Sequence, residues 1–234
     1  TGEPFDWNDE SMRSRMFVAS ARDPRFARTL IYNGATFKGQ PVQSYVGGRN
    51  GRPLDGATPT SYYLRKHIVE ATSFVTGSEM SYQHIFPFFR YAEVLLNYAE
   101  ALAAATQNPD FTGMKGEVEY TLSPREALNA VRARYNMPGI TETDYTAFVK
   151  RLRNERRVEL AFEGHRFWDI RRWKIGAETT KVYGLTITPQ NDGSFSYVRS
   201  VIQQRGWDDR MNYYPIADAE LFKNHNLVQN DGWK

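Results

Sequence analysis

The sequence predicts a mostly α-helical domain organised around one tetratricopeptide-like helix hairpin, with short strands and long loops. Three observations carry that expectation. Apolar residues recur at i, i+3, i+4 spacing through residues 86–106, again through 123–137, and a third time from about 143 to 173. Strand-like alternation is confined to short stretches, the clearest within "YGLTITPQNDGSFSYVRSVIQQRGW". Glycine and proline crowd residues 33–60 around "GGRNGRPLDG", which reads as a long irregular excursion.

Taken in order, "FDWNDESMRSRMFVAS" predicts a short helix capped by Asp6 or Asn8, with Met12, Met16 and Phe17 at helical spacing. Pro24 is expected to terminate it, and Arg28 to Tyr32 to form a strand. Excursions as long as 33–60 are usually functional or mobile. In "FPFFRYAEVLLNYAEALAAAT", Ala92, Leu95, Leu96, Ala99, Leu102 and Ala103 form one apolar stripe. Arg90, Glu93, Asn97 and Glu100 form a polar stripe suited to surface or inter-helix pairing. The next helix opens on a capping box, Ser123 with Glu126, and has Pro124 at its first position, where the missing N–H costs nothing. Two such helices in succession suggest an antiparallel hairpin. The third helix is expected from Thr143 or Asp144 to about Trp173, bending at Gly164. An Asn-Asp-Gly turn then predicts a hairpin, and Asp218 caps one last short helical turn.

Composition limits the function. At 234 residues the chain can bury one large core or two small ones, and no composition break defines a second domain, so residues 1–234 are read as one. The net charge of +3 is too slight to imply a polyanion partner, and no nucleic-acid motif accompanies the basic run Lys150, Arg151, Arg153, Arg156 and Arg157. That run reads mostly as a solvated face. Without cysteine there are no disulfides or thiolate sites. His67, His84, His165 and His225 lack zinc-type spacing, and neither a P-loop nor a dinucleotide glycine pattern occurs. No cofactor and no metal are expected. No apolar run is long enough to span a membrane. The polar start, which has no methionine, suggests a processed chain or a fragment. Aromatics reach 14%, high for a helix-rich domain.

The stretch "ERRVELAFEGHRFWDIRRWK" raises the question of catalysis, because Glu155, Glu159 and Glu163 are spaced at four. A glycosidase needs two carboxyls facing each other across a substrate, which glutamates stacked on one helix do not supply alone. Apolar side chains occur all round this helix, so it is expected to be buried with its charges compensated. Arg166, three residues from Glu163 and from Asp169, is the local partner within reach. Glu159 and Arg166 are therefore expected to be buried and paired, and Trp168 packed. Aromatics on loops, Trp7, Tyr32, Tyr45, Tyr62, Tyr63 and Trp207, are more open to a binding role.

Five blocks, "RDPRF", "YYLRKHI", "FRYAEVLLNYAEALA" with "EALNAVRARYNMP", "RNERRVELAFEGHRFWDIRRWK" and "YPIADAELFKNHNLVQNDGW", resemble the SusD/RagB family of outer-membrane nutrient-binding lipoproteins. The resemblance covers nearly the whole chain but only the C-terminal half of a typical member. It implies a SusD-like helical domain, with the lipid anchor and most tetratricopeptide units lying in an N-terminal half outside this sequence. It further implies a non-enzymatic protein at the cell surface. Such a protein binds oligosaccharide or another nutrient and passes it to a SusC-like TonB-dependent transporter. Within that frame the 33–60 excursion becomes a candidate binding segment. Tyr45 is the first candidate for stacking on a sugar, with Asn33, Gln43, Arg49 and Asn50 as polar neighbours, and Trp7 and Tyr32 follow. A glycoside hydrolase using the paired glutamates, or a helical-repeat domain with only a protein partner, are the alternatives.

Overall fold

The computed structural model describes residues 3–83 and 85–233, so His84 lies outside the described residues. The chain divides into two compact units, Thr1–Ser44 with Tyr62–Glu163, and Tyr45–Ser61 with Gly164–Lys234. No shift in composition marks that division.

The first unit begins with α1 (Glu10–Ser14), capped by neither expected residue. Asp9 takes the role, its Oδ1 accepting the Met12 N–H at 3.1 Å, while Asp6 accepts the N–H of Asn8 in the preceding turn. Pro24 opens a helix rather than closing one. It occupies the first position of α2 (Pro24–Thr29), with Asp23 as cap. The expected strand consequently shortens to β1 (Leu30–Ile31). A tight hairpin follows, β2 (Thr36–Phe37) with β3 (Gln40–Pro41), and β4 (Tyr63–Leu64) pairs antiparallel with β1. Ile31, Tyr32, Ala35 and Val42 form a small core here, with Phe17, Phe26 and Tyr62 packed against it.

The larger core joins three helices. These are α3 (Tyr91–Thr106), α4 (Pro124–Ala133) and α5 (Tyr145–Glu159), with the hairpin β5 (Gly113–Lys115) and β6 (Val118–Tyr120) between the first two. The capping box forms as predicted: Ser123 Oγ accepts the Glu126 N–H, and Glu126 Oε2 accepts the Ser123 N–H at 2.8 Å. Asp144 caps α5 through the Ala147 N–H. The Arg125 N–H bonds the Pro109 carbonyl at 2.9 Å, bringing the start of α4 back to the end of α3, as a helix hairpin requires. Leu96, Ala99 and Ala103 then interlock with Ala127, Leu128 and Val131, and with Phe148 and Leu152 of α5. Burying a side chain such as Leu128 or Phe148 contributes about 1.5–3 kcal/mol. The polar stripe on α3 pairs between helices: Arg156 NH1 donates to Asn97 Oδ1 at 2.5 Å, with Glu100 3.9 Å from its Nε. Arg156 is thus buried, so the basic run is only partly the solvated face expected of it.

The third helix does not run through to Trp173. It ends at Glu159, because Phe162 (φ 62°) and Gly164 (φ 83°) take left-handed backbone conformations that no helix accommodates. The expected bend is a break, after which α6 (His165–Arg172) starts the main part of the second unit. There β7 (Lys181–Pro189) and β8 (Phe195–Gln204) form the predicted hairpin, closed at Gly193 (φ 82°) with the Ser194 N–H bonded to Asp192 Oδ1. Tyr45–Ser61 runs beside β7: the Val46 N–H bonds the Ile187 carbonyl at 2.9 Å, and Ser61 Oγ donates to the Leu185 carbonyl at 2.6 Å. The last helix, α7 (Asp218–Lys223), has Ala217 at its cap and Asp218 in its first turn, where a carboxylate still favours the helix dipole. Among the described residues no helix is long and apolar enough to cross a membrane.

Candidate functional site

The glutamates of α5 lie at the centre of a buried ion cluster. Successive turns of the helix place Glu155 and Glu159 on one face, and the break after Glu159 carries Glu163 round to join them. Glu155 accepts from Arg25 NH1 at 2.5 Å on Oε1 and from Arg132 NH1 at 2.9 Å on Oε2. Glu159 accepts from Arg90 NH1 and from Arg25 NH1, each at 2.8 Å, one on each oxygen. Glu163 accepts from Lys66 Nζ at 2.5 Å and Arg90 NH2 at 2.9 Å on Oε1, and from Arg90 Nε at 2.7 Å on Oε2. Asp23 completes the set through a two-oxygen contact with Arg25. Four cations thus meet four carboxylates.

Glu159 is 3% exposed and paired, as its spacing predicts. The cations come from distant segments, however, and the expectation of neutralisation within one helix misses all of them. Arg166 itself is half-buried. Lys66 also fastens the chain where it breaks. Its Nζ donates to the Glu159 and Ala161 carbonyls at 3.1 and 3.0 Å as well as to Glu163, using all three N–H bonds.

This chemistry opposes acid–base catalysis. A general acid needs a raised pKa, whereas Glu163 is held below its ordinary value. Burial works against its charge, but hydrogen bonds from Arg90 and Lys66 outweigh that. Asp23 is likewise lowered: Arg25 prevails over burial. Arg25 is raised despite burial, through Asp23, Glu155 and Glu159. Each of the six glutamate oxygens accepts a hydrogen bond from a cation.

Beside the cluster, a cavity of about 570 Å³ within the first unit is lined by Phe5, Arg22, Asp23, Arg25, Phe26 and Phe162, among others. Arg22 stacks over Phe5 and Phe26 at 4.5 and 4.4 Å, and burial lowers its pKa. The walls could take a small amphipathic ligand, and the Asp23 carboxylate among them is held by Arg25. Among the described residues no group of three His, Asp or Glu could hold a metal.

The loop residues singled out in the sequence fall into two sets. In the first unit, Tyr32 is only 6% exposed and stacks with Phe17 at 5.7 Å and Phe26 at 4.7 Å. Asn33 is buried too, its Oδ1 accepting the Ser44 N–H at 3.1 Å. Trp7 is half-buried in the turn before α1, and its carbonyl accepts from Arg13. In the second unit, Tyr45 is half-buried with its ring 5.3 Å from Phe195, Arg49 is exposed, and Asn50 lies at intermediate depth. Backbone bonds from Gly48 to Tyr45 and from Gly47 to Arg52 fold this segment back on itself. Sequence reasoning missed Arg25, Lys66, Arg90 and Arg132 as cluster members. Their signal was the recurrence of a basic residue in each of four separate motif blocks.

The arrangement defines a helical scaffold knitted by a neutralised ion cluster, with its candidate ligand contacts outside that cluster. A sequence model of the SusD family matches residues 10–233, and the chain belongs to that family. SusD-like protein P2 of Formosa agariphila is 33% identical over 146 residues, 61% of this chain and 24% of its own length. A SusD-like protein from Bacteroides fragilis superimposes with a TM-score of 0.72 at 29% identity, over 91% of this chain and 39% of that one. A SusD-like carbohydrate-binding protein, also from Bacteroides fragilis, superimposes with a TM-score of 0.68 at 29% identity, over 96% of this chain and 45% of that one. The chain therefore spans less than half the length of each of these relatives.

Proposed function

We propose that the chain is the C-terminal portion of a non-catalytic, cell-surface protein that binds oligosaccharide or a similar nutrient. The bound nutrient passes to a SusC-like TonB-dependent transporter, and a lipid anchor outside this sequence holds the protein at the outer membrane. Family membership and a carbohydrate-binding relative support the reading. The observation that carries the absence of catalysis is the pairing of every oxygen of Glu155, Glu159 and Glu163 with a remote cation.

Tyr45 offers its ring for stacking on the C–H face of a sugar, with Arg49 and Asn50 following it on the same loop as hydrogen-bonding groups. Trp7 is the second candidate ring. Tyr32 and Asn33 are buried in the first unit, where the Asn33 Oδ1 accepts the Ser44 N–H. Calorimetry against a panel of neutral and acidic oligosaccharides tests this, with product analysis after long incubation. Binding weakened by Tyr45→Ala, with every glycan recovered intact, is the expected result. Bond cleavage that disappears in Glu159→Gln overturns the non-catalytic reading, and unchanged affinity in Tyr45→Ala removes Tyr45 from the site.

A further inference from the structure

The second unit exposes three aromatic rings in mutual contact. Trp168, expected to be packed, is 59% exposed, Tyr214 is 57% and Phe167 39%. Phe167 lies 5.1 Å from Trp168 at 87°, and Tyr214 lies 6.0 Å from Phe167 and 6.2 Å from Trp168. Single exposed apolar residues are ordinary, but contiguous ones mark binding surfaces. Trp168 and Tyr214 are tilted at 53° to each other, so together they offer two faces and two polar tips.

Arg171 supplies the charge. Its Cζ is 3.5 Å from the Phe167 centroid, 5.4 Å from Trp207 and 5.7 Å from Tyr214, and its NH1 donates to the Phe167 carbonyl. Among the described residues no carboxylate pairs with it, and its Nε has no hydrogen-bond partner. Arg172, next in sequence, pairs with Asp169 at 2.8 Å. The second unit also holds all the net charge of the chain. It has 12 Lys and Arg against 9 Asp and Glu, where the first unit has 18 against 18. A weakly hydrated guanidinium stacked on rings and left without a counter-ion attracts an anion.

Resting on the carbohydrate-binding reading above, we propose that Trp168, Tyr214, Phe167 and Arg171 form a binding site for an acidic sugar unit, one bearing a carboxylate or a sulfate. The rings take the C–H face of the sugar and Arg171 draws its anionic group. A protein partner fits less well. A stable interface covers about 800 Å² on each side, whereas this patch is three rings flanked on α6 by Arg166 and Arg172. The broad apolar run of the first unit, with Phe74, Ile85, Phe88 and Phe89 all more than 80% exposed, has the character of such an interface instead.

Calorimetry of the chain against an oligogalacturonide, a sulfated galactan fragment and a neutral galactan fragment of equal length tests the site. Both acidic ligands are expected to bind more tightly than the neutral one, with the difference shrinking as salt rises. Trp168→Ala and Tyr214→Ala, exposed substitutions whose fold is checked by circular dichroism, should each weaken acidic binding about tenfold. Arg171→Gln should abolish the acidic preference and Arg171→Lys should restore part of it. Equal affinity for acidic and neutral ligands overturns the proposal. So does binding that is lost in Tyr45→Ala but unchanged in both ring variants, a result that leaves the carbohydrate-binding reading standing. A chain that binds none of the three ligands, nor any oligosaccharide of the wider panel, overturns both. Loss of association with a protein in Trp168→Ala, without any change in glycan affinity, assigns the rings to a protein interface and overturns the proposal.

Discussion

Replacing Arg25 with methionine tests whether the ion cluster holds the first unit together. Arg25 is 4% exposed and donates four hydrogen bonds, at 2.9 and 2.6 Å to the two oxygens of Asp23, at 2.5 Å to Glu155 and at 2.8 Å to Glu159. Methionine fills much of the volume but removes all four and leaves the cluster with one uncompensated negative charge. Breaking a buried pair by deleting one partner costs about 3–5 kcal/mol. Here Glu155 keeps Arg132 and Glu159 keeps Arg90, and Asp23 is nearer solvent, so the lower end, about 3 kcal/mol, applies. For a chain of this length, each kcal/mol lowers the melting midpoint by about 2–4 °C, which gives a fall of roughly 6–12 °C. Far-ultraviolet circular dichroism melts at neutral pH measure it directly. Oligosaccharide affinity, measured well below the variant's midpoint, should stay at the parent value. A midpoint within about 3 °C of the parent would refute the stabilising role. Lost affinity in a fully folded variant would instead place Arg25 among the ligand contacts.

Acid should weaken the same network. The folded pKa values of Glu163 and Asp23 are depressed below their ordinary values of 4.5 and 3.8, so the stability they contribute is complete above those values and is lost as pH falls through the folded ones. The urea midpoint should therefore hold steady from neutrality to about pH 5 and decline below that; a midpoint that rises on acidification contradicts the assignment. In the second unit, a Cβ on Gly176 would lie 2.0 Å from Cε2 and Cζ2 of Trp207. Gly176→Ala must displace that indole, at a cost of about 1–3 kcal/mol typical of overpacking. Tryptophan fluorescence should shift together with the lowered stability, and a variant matching the parent in both would show that the contact is not tight.

Local structure was legible wherever a short-range rule decides it. The Ser123–Glu126 box, the Asp144 cap, the apolar stripe of α3 and the Asn-Asp-Gly hairpin each depend on residues within a few positions of one another. Pro24 was misjudged because proline suits the first turn of a helix as well as the residue after one, and only Asp23 at the cap distinguishes the two. The break near Gly164 was misjudged because the residues on both sides continue a helical pattern, while Phe162 takes a left-handed backbone that its bulk does not advertise. Lys66, bonded to the Glu159 and Ala161 carbonyls, holds that conformation from 93 and 95 positions away. Apolar side chains all round the helix predict Trp168 in the core, yet it is exposed, because periodicity reports which face a side chain shares and not what covers the face.

The cluster also gives the motif blocks a common physical purpose. "RDPRF" contributes Asp23 and Arg25, "YYLRKHI" Lys66, "FRYAE" Arg90, "EALNAVRARY" Arg132, and the glutamate helix Glu155, Glu159 and Glu163. Buried ion pairs add little net stability compared with apolar packing, because desolvation consumes most of the attraction. Their effect is larger on the alternatives. A chain folded with any one of these segments out of place strands a charge in the interior, which costs several kcal/mol. Four cations matched to four carboxylates therefore specify which loops must meet α5, and the first unit as a whole carries no net charge. The candidate contacts Tyr45, Trp168, Arg171 and Tyr214 belong instead to the unit with a positive excess, outside the balanced network. Their side chains can change without unbalancing the interior, so ligand preference can shift on a scaffold whose charge pairing stays fixed.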